Sequence, residues 1–191
     1  MRIAIITGST RQGRKSEAVA QWVHDLAVRR GDAEYEVLDI ARFGLPLFDE
    51  AVPPAVAPGT LPHTTRWAEA IRGFDAFVFV TPEYNHGTSG ALKNAIDFLY
   101  EEWHGKAAGF VGYGVAGGTR AVEQLRLIMG NLRVADVSPQ VSLSLFTDFT
   151  DMTALSPAPH QEQAVTAMLD EVAAWGGALR ALRAPAGAAA A

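Results

Sequence analysis

The sequence predicts an α/β domain on a parallel sheet with helices on both faces. Three observations predict it. Short β-branched or wholly apolar runs alternate with longer stretches whose apolar residues recur at helical spacing. The run Ala76-Phe77-Val78-Phe79-Val80 is apolar throughout, as expected of a strand covered on both faces. The 191 residues, 49% hydrophobic and 19% charged, are enough for one domain with a full core.

The elements follow in chain order. Ile3 to Thr7 is a continuous β-branched run and reads as the first strand. Residues 15–30 read as a helix through Val19, Trp22, Val23 and Leu26. Tyr35 to Leu38 is the second strand and Ala76 to Val80 the third. Residues 89–103 carry Leu92, Ala95, Ile96, Leu99 and Trp103 on one helical face. Ala107 to Val111 is the fourth strand. Residues 118–132 are helical through Val122, Leu125, Ile128, Met129 and Leu132. Val134 to Val141 contains the fifth strand. The last helix runs from His160 to Leu182, with Val165, Met168, Leu169, Val172, Trp175 and Leu179. Five strands fit the doubly wound order 2-1-3-4-5, in which ligands bind beyond the carboxyl ends of the strands. Residues 41–62, with five prolines, form a long connection, and loops of that length often act as lids or contacts. One domain spans 1–183; residues 184–191, all Ala, Pro and Gly, read as a disordered tail.

Composition narrows the function classes. The net charge of −5 disfavours non-specific nucleic-acid or anionic-lipid binding, which needs many Lys and Arg contacts. No cysteine is present, so disulfides, thiolate nucleophiles and Cys-ligated metals are excluded. No apolar run reaches the roughly 18 residues of a membrane span, and the amino end lacks a secretory pattern. The expectation is a soluble cytoplasmic protein. The five histidines show no metal spacing, and no Ser-His-Asp context surrounds Ser9 or Ser89.

The loop after the first strand, Gly8-Ser9-Thr10-Arg11-Gln12-Gly13-Arg14-Lys15-Ser16, holds two glycines, three hydroxyls and three cations. At a helix amino terminus the free N–H groups and the dipole already favour an anion. Ser9, Thr10 and Ser16 can donate, and Arg11 or Arg14 can pair with phosphate oxygens. A phosphate-bearing ligand explains this local excess of positive charge. An ordinary glycine turn with a hydroxyl cap and solvated cations is the plainer reading. A nucleotide P-loop is the other competitor, but Arg14 stands where that motif places Lys.

The loop after the third strand runs Thr81-Pro82-Glu83-Tyr84-Asn85-His86-Gly87-Thr88-Ser89-Gly90. Pro82 ends the strand, Tyr84 offers a flat face for a ring, and Glu83 and Asn85 offer polar groups for its edge. The plainer reading is a turn and cap whose aromatic closes the core. Loops one and three together outline a mononucleotide pocket on one sheet edge.

Gly8-Ser9-Thr10-Arg11, Thr81-Pro82-Glu83-Tyr84-Asn85 and Gly90-Ala91-Leu92-Lys93-Asn94-Ala95-Ile96-Asp97 together resemble the NADPH-dependent FMN reductase family, which includes quinone, azo-dye and chromate reductases. The resemblance runs from the first strand to about Leu132. It implies a flavodoxin-like fold with tight, non-covalent FMN and with NADPH or NADH as co-substrate. By match of motif, Ser9, Thr10, Arg11, Gly13, Arg14, Lys15 and Ser16 would surround the FMN phosphate. Pro82, Glu83, Tyr84 and Asn85 would hold the ring edge, largely through main-chain groups. Relatives often carry a hydroxyl where Arg14 stands, so the phosphate contacts among Arg14, Lys15 and Ser16 stay open.

The loop after the fourth strand, Gly112-Tyr113-Gly114-Val115-Ala116-Gly117, matches G-x-G-x-x-G, with Asp136 nineteen residues after Gly117. A dinucleotide fingerprint normally sits on the first strand of its unit, which loop one already occupies. The preferred reading makes Tyr113, Gly114, Gly117 and Gly118 a second wall of the flavin site. A glycine-rich helix start needed for packing is the alternative. Asp49 and Glu50 read as solvated loop acids, and Leu47 and Phe48 as candidates to cover a neighbouring subunit's flavin. Ala91, Phe98 and Tyr100 lie off the main face of helix 89–103, which points to a partner helix and a homodimer or homotetramer.

The expected activity is transfer of two electrons from NAD(P)H through FMN to a small acceptor such as a quinone, free flavin, azo compound or metal oxyanion, in a ping-pong scheme. The flavin carries the chemistry, so no catalytic side chain and no metal are expected. The competing classes are a flavodoxin-type electron carrier and a non-catalytic flavin-binding module.

Overall fold

A computed structural model describes residues 1–183. The expected tail, 184–191, lies outside the described residues. Five strands form one parallel sheet: β1 (Arg2–Thr7), β2 (Glu34–Asp39), β3 (Ala76–Pro82), β4 (Ala107–Gly114) and β5 (Ala135–Ser144). Their order is β2-β1-β3-β4-β5, as expected. The order reverses between β1 and β3, which puts the loops after those two strands side by side.

The sheet's period of two divides the core into two layers. Ala4, Ile6, Phe77, Phe79 and Phe110 face α2 (Pro62–Arg72), α3 (Gly90–Asp97) and α4 (Thr119–Asn131). Ile3, Ile5, Val78, Val80 and Val111 face α1 (Ser16–Val28) and α5 (His160–Arg183). The first layer is aromatic: Trp103 packs edge-on to Trp67 and Phe77 at 6.1 and 5.0 Å between centroids. The Nε1–H groups of these two Trp find Ile96 O and Ala95 O, so burial leaves neither unpaired.

Several features depart from the sequence reading. The crossover from β2 to β3, which had no assigned helix, is α2, with Pro62 opening it where a missing N–H costs nothing. The helix expected over 89–103 stops at Asp97. Tyr100 leaves the helical region, and a short 3₁₀ turn over Glu101–Trp103 follows. Phe98, Leu99 and Trp103 are all buried, and the break lets all three reach the core. Phe98 is covered within the chain by Phe48 and His63, at 5.2 and 5.5 Å, so it is not a free face for a partner helix. Trp175, read with the apolar face of the last helix, is instead about half exposed. Finally, β5 is followed by a short hairpin, β6 (Phe149–Thr150) and β7 (Ala154–Leu155). Buried Asp148 organises that loop by accepting from Ser144 N, Ala158 N and Thr147 Oγ1.

No helix among the described residues is long and apolar enough to cross a membrane.

Trp103→Ala removes the centre of the aromatic layer. A loss of about 3–5 kcal/mol of unfolding free energy is expected, read from urea denaturation.

Candidate functional site

Loops one and three are joined by their main chains. Gly8 N donates to Val80 O at 2.7 Å, and a Cβ on Gly8 would stand 2.4 Å from that oxygen. Only glycine allows this approach. Ser89 caps α3 by accepting from Leu92 N at 3.0 Å, and its hydroxyl donates back to Gly8 O.

Within loop one the side chains divide. Ser9 is buried, with Oγ 3.5 Å from the Tyr84 hydroxyl. Arg11 Nε donates to the same hydroxyl at 3.4 Å, while its terminal nitrogens donate to Gln12 O and Gly13 O. Gly13 supplies a left-handed turn at φ 68°. Arg14 points elsewhere: its guanidinium pairs with Asp39 at 2.8 Å and Glu17 at 2.5 Å. Asp39 also accepts from Thr7 Oγ1 and Ala41 N, so Arg14 is tied to the ends of β1 and β2. Lys15 makes no ion pair among the described residues. Thr10 turns outward and lines a cavity of about 640 Å³ with Leu45, Pro46, Leu47, Ala91 and Asn94.

The amino end of α1 has no side-chain cap, and Ser16 Oγ lies buried there without a partner. A buried hydroxyl without a partner is costly. Uncapped N–H groups, an unsatisfied hydroxyl and the Arg11 and Lys15 cations make a donor set that fits a phosphate.

Loop three turns tightly. Tyr84 and Gly87 exchange main-chain bonds at 2.9 and 3.0 Å, and Asn85 and His86 between them both take left-handed φ values of 50° and 66°. This is the two-residue hairpin geometry that asparagine tolerates well. The turn is braced from α4: Gln124 Nε2 donates to His86 O at 2.9 Å and Arg120 donates to His86 Nε2 at 2.7 Å. Arg120 also pairs with Glu83, whose carboxylate accepts from Arg120 N at 3.1 Å and so caps α4 from another loop. Glu83 N donates to Tyr113 O at 3.1 Å, joining loops three and four. Among the described residues the N–H of Asn85 has no acceptor.

Loop four divides in the same way. Gly114 fronts Glu83, where an added Cβ would lie 3.4 Å from the Glu83 Cβ. Gly118 sits at φ 71°, and a Cβ there would stand 2.4 Å from Tyr113 N. Gly117 also takes positive φ, so these last two glycines serve the turn into α4. Tyr113 is buried on the α1 and α5 side beneath the loops. Asp136 lies at the start of β5 and pairs with Arg126 at 2.6 Å, at the opposite end of the sheet from Gly114. The dinucleotide fingerprint therefore fails on its acid. Glu50 is not simply solvated either: its carboxylate accepts from Leu61 N at 3.0 Å and closes the long connection. Asp49 pairs with His63 at 3.0 Å.

Sequence reasoning missed the braces Asp39, Arg120 and Gln124. The signal for Arg120 was present: a cation in the first turn of a helix opposes the dipole unless a carboxylate answers it. Asn94, quoted only within a motif, clamps the long connection by donating to Pro46 O and accepting from Phe48 N. No cluster of three or more His, Cys, Asp or Glu able to hold a metal occurs among the described residues.

Burial raises the affinity of the Tyr84 hydroxyl for its proton, but bonds from Ser9 and Arg11 and the charges of Arg11 and Lys15 outweigh it. The hydroxyl ends below the ordinary tyrosine value. Burial pushes Tyr113 and Tyr35 the other way. In a spectrophotometric titration of the cofactor-free protein, one phenolate should form below pH ~10, the ordinary tyrosine value. Tyr84→Phe should abolish that early step and leave the later ones. Separately, Gly118→Ala should cost about 1–3 kcal/mol of stability, because its backbone conformation and its contact with Tyr113 N both exclude a Cβ.

The family model described as NADPH-dependent FMN reductase matches residues 1–148. An NAD(P)H-dependent FMN reductase from Nectria sp is 41% identical over 157 residues, 79% of this chain and 78% of that protein. A quinone reductase from Pseudomonas putida is 34% identical over 132 residues, 65% of this chain and 67% of that protein. Among solved structures, the flavoenzyme NAD(P)H:(acceptor) oxidoreductase from Paracoccus denitrificans superposes with a TM-score of 0.72 at 22% identity, covering 93% of this chain and 97% of that one. A flavodoxin variant from Pseudomonas aeruginosa reaches 0.51 at 22% identity, covering 93% and 99%. The sheet order and these neighbours make the fold flavodoxin-like. The chain belongs to the NADPH-dependent FMN reductase family.

Proposed function

We propose that the protein is an NAD(P)H-dependent FMN reductase and quinone reductase that binds FMN tightly but non-covalently across loops one, three and four. The observation that carries this reading is the unsatisfied Ser16 hydroxyl at the uncapped start of α1, beside Arg11 and Lys15 and next to the edge where loops three and four meet. Family membership supports it independently.

In this reading Ser9, Arg11, Lys15, Ser16 and the first N–H groups of α1 hold the phosphate. Arg14 supports the loop through Asp39 without reaching that phosphate. The main chain of Glu83 to Asn85 and the Gly114 segment receive the ring edge, with the N–H of Asn85 as a donor. Arg120 and Gln124 keep the Asn85-His86 turn in place. Bound FMN would supply the redox chemistry, a two-electron transfer from NAD(P)H to a quinone or similar small acceptor in a ping-pong sequence. The protein contributes binding, orientation and the local field. Leu47 and Val56, highly exposed on the long connection, would be covered in a homodimer or homotetramer.

The purified protein should show a flavin absorption spectrum. NADPH added without air should bleach it, and a quinone should restore it. A colourless protein that takes up no FMN on titration would refute the reading and leave a non-catalytic scaffold or regulator that keeps the fold. Bound FMN with no turnover of NAD(P)H would leave the electron carrier.

Arg11→Ala should weaken FMN binding by about 1.5–3 kcal/mol, the usual range for a charge-assisted hydrogen bond, measured by fluorescence titration. Gly114→Val should lower quinone reductase activity while preserving the fold by circular dichroism, because the new side chain presses on Glu83.

A further inference from the structure

A second concavity lies at the other end of the sheet, beneath the amino end of β4. Its volume is about 370 Å³. Pro54 and Pro58 supply apolar wall, with Phe98 and Leu99 buried behind it, and Lys106 and His104 are among its polar residues. Three cations line it, Arg72, Lys106 and Arg183, against two carboxylates, Glu101 and Glu102. With Asp75, which answers Arg183 beside the lining, the local charges balance, so what distinguishes the cavity is how its cations are paired.

The cations are not equally satisfied. Arg72 pairs with Glu102 at 2.6 Å. Arg183 pairs with Asp75 at 2.6 Å and donates to Gly105 O at 2.5 Å. Lys106 is only 5% exposed and has no carboxylate within 4.0 Å among the described residues. Its Nζ donates to Ile71 O at 2.8 Å, in the last turn of α2, and lies 5.2 Å from the centre of the Phe77 ring. The helix end and the ring are both favourable to a cation. An ammonium carries three N–H groups, however, and one acceptor does not satisfy them. Burial, with Arg183 nearby, pulls the amine down to about 8. Buried charges are ordinarily paired. His104 adds a second unsatisfied group, since its Nε2 is buried without a partner and burial disfavours the protonated ring.

We propose that this cavity binds a small carboxylate with an apolar body, the carboxylate accepting from Lys106 and the body lying against Pro54 and Pro58. The site is separate from the flavin edge, because Lys106 precedes the first residue of β4 while the flavin loops follow the last residues of β1, β3 and β4. The inference does not depend on the cofactor assignment.

Benzoate is the probe, with benzamide as its uncharged counterpart, both titrated calorimetrically into the purified protein as isolated. Benzoate should bind one per chain and benzamide at least tenfold more weakly. Lys106→Met should weaken benzoate at least tenfold. Thr65 is exposed at the cavity rim, so Thr65→Trp should do the same by filling the space, and it decides the matter where Lys106→Met does not fold. Absence of benzoate binding overturns the proposal. So does equal affinity for benzamide, affinity unchanged in the folded variants, or displacement of benzoate by a quinone, which would place it at the flavin edge.

Discussion

The close approach of Gly8 to the end of β3 is the constraint on which the carboxyl edge depends. Its N–H reaches Val80 O across a gap that admits no Cβ, and the Ser89 hydroxyl closes the same joint from α3. The two loops that flank the topological reversal thus become one surface. Ser9 and Tyr84, seventy-five positions apart, lie at hydrogen-bond distance because of it. A larger residue at Gly8 would separate the loops and leave the hydroxyls and cations of loop one facing water.

The second joint is electrostatic. Glu83 is the hinge of loops three and four: its N–H bonds Tyr113 O, and its carboxylate caps α4 and holds Arg120. A left-handed pair of residues without glycine, Asn85 and His86, needs outside support, since such backbone is sparsely populated. Arg120 and Gln124 provide it from one helical face. The turn that faces the proposed ring is therefore set by a helix, which a free loop would not achieve.

Much of this was legible in the sequence. Hydrophobic periodicity located all five strands, because a doubly covered strand is apolar without interruption and the helical stretches are not. The loop residues near the edge were legible from their chemistry. What was not legible depends on partners distant in sequence. Arg14 and Arg11 look alike in a string of cations, and only the position of Asp39 at the end of β2 separates them. Helix 89–103 read as one element because its periodicity continues past Asp97, yet three bulky residues needed the same interior and the backbone broke to admit them. Helix α2 was masked by the prolines that precede it and by Pro62, its first residue. Glycines 117 and 118 fit a binding motif and a tight turn equally well on paper.

The internal neutralisation of Arg14 has a consequence for how a dianion would be held. With that guanidinium spent on Asp39 and Glu17, two of the loop's three cations, Arg11 and Lys15, remain for the anion, and peptide dipoles and a sheltered hydroxyl supply the rest of the attraction. Charges and helix dipoles alike are weakened by dissolved electrolyte, whose screening length is about 8–10 Å under ordinary conditions and shorter in concentrated salt, whereas a direct bond from a buried hydroxyl is not. A phosphate gripped in this way would loosen only in part as electrolyte is added, losing the share that Arg11 and Lys15 contribute and keeping the share of the direct hydrogen bonds.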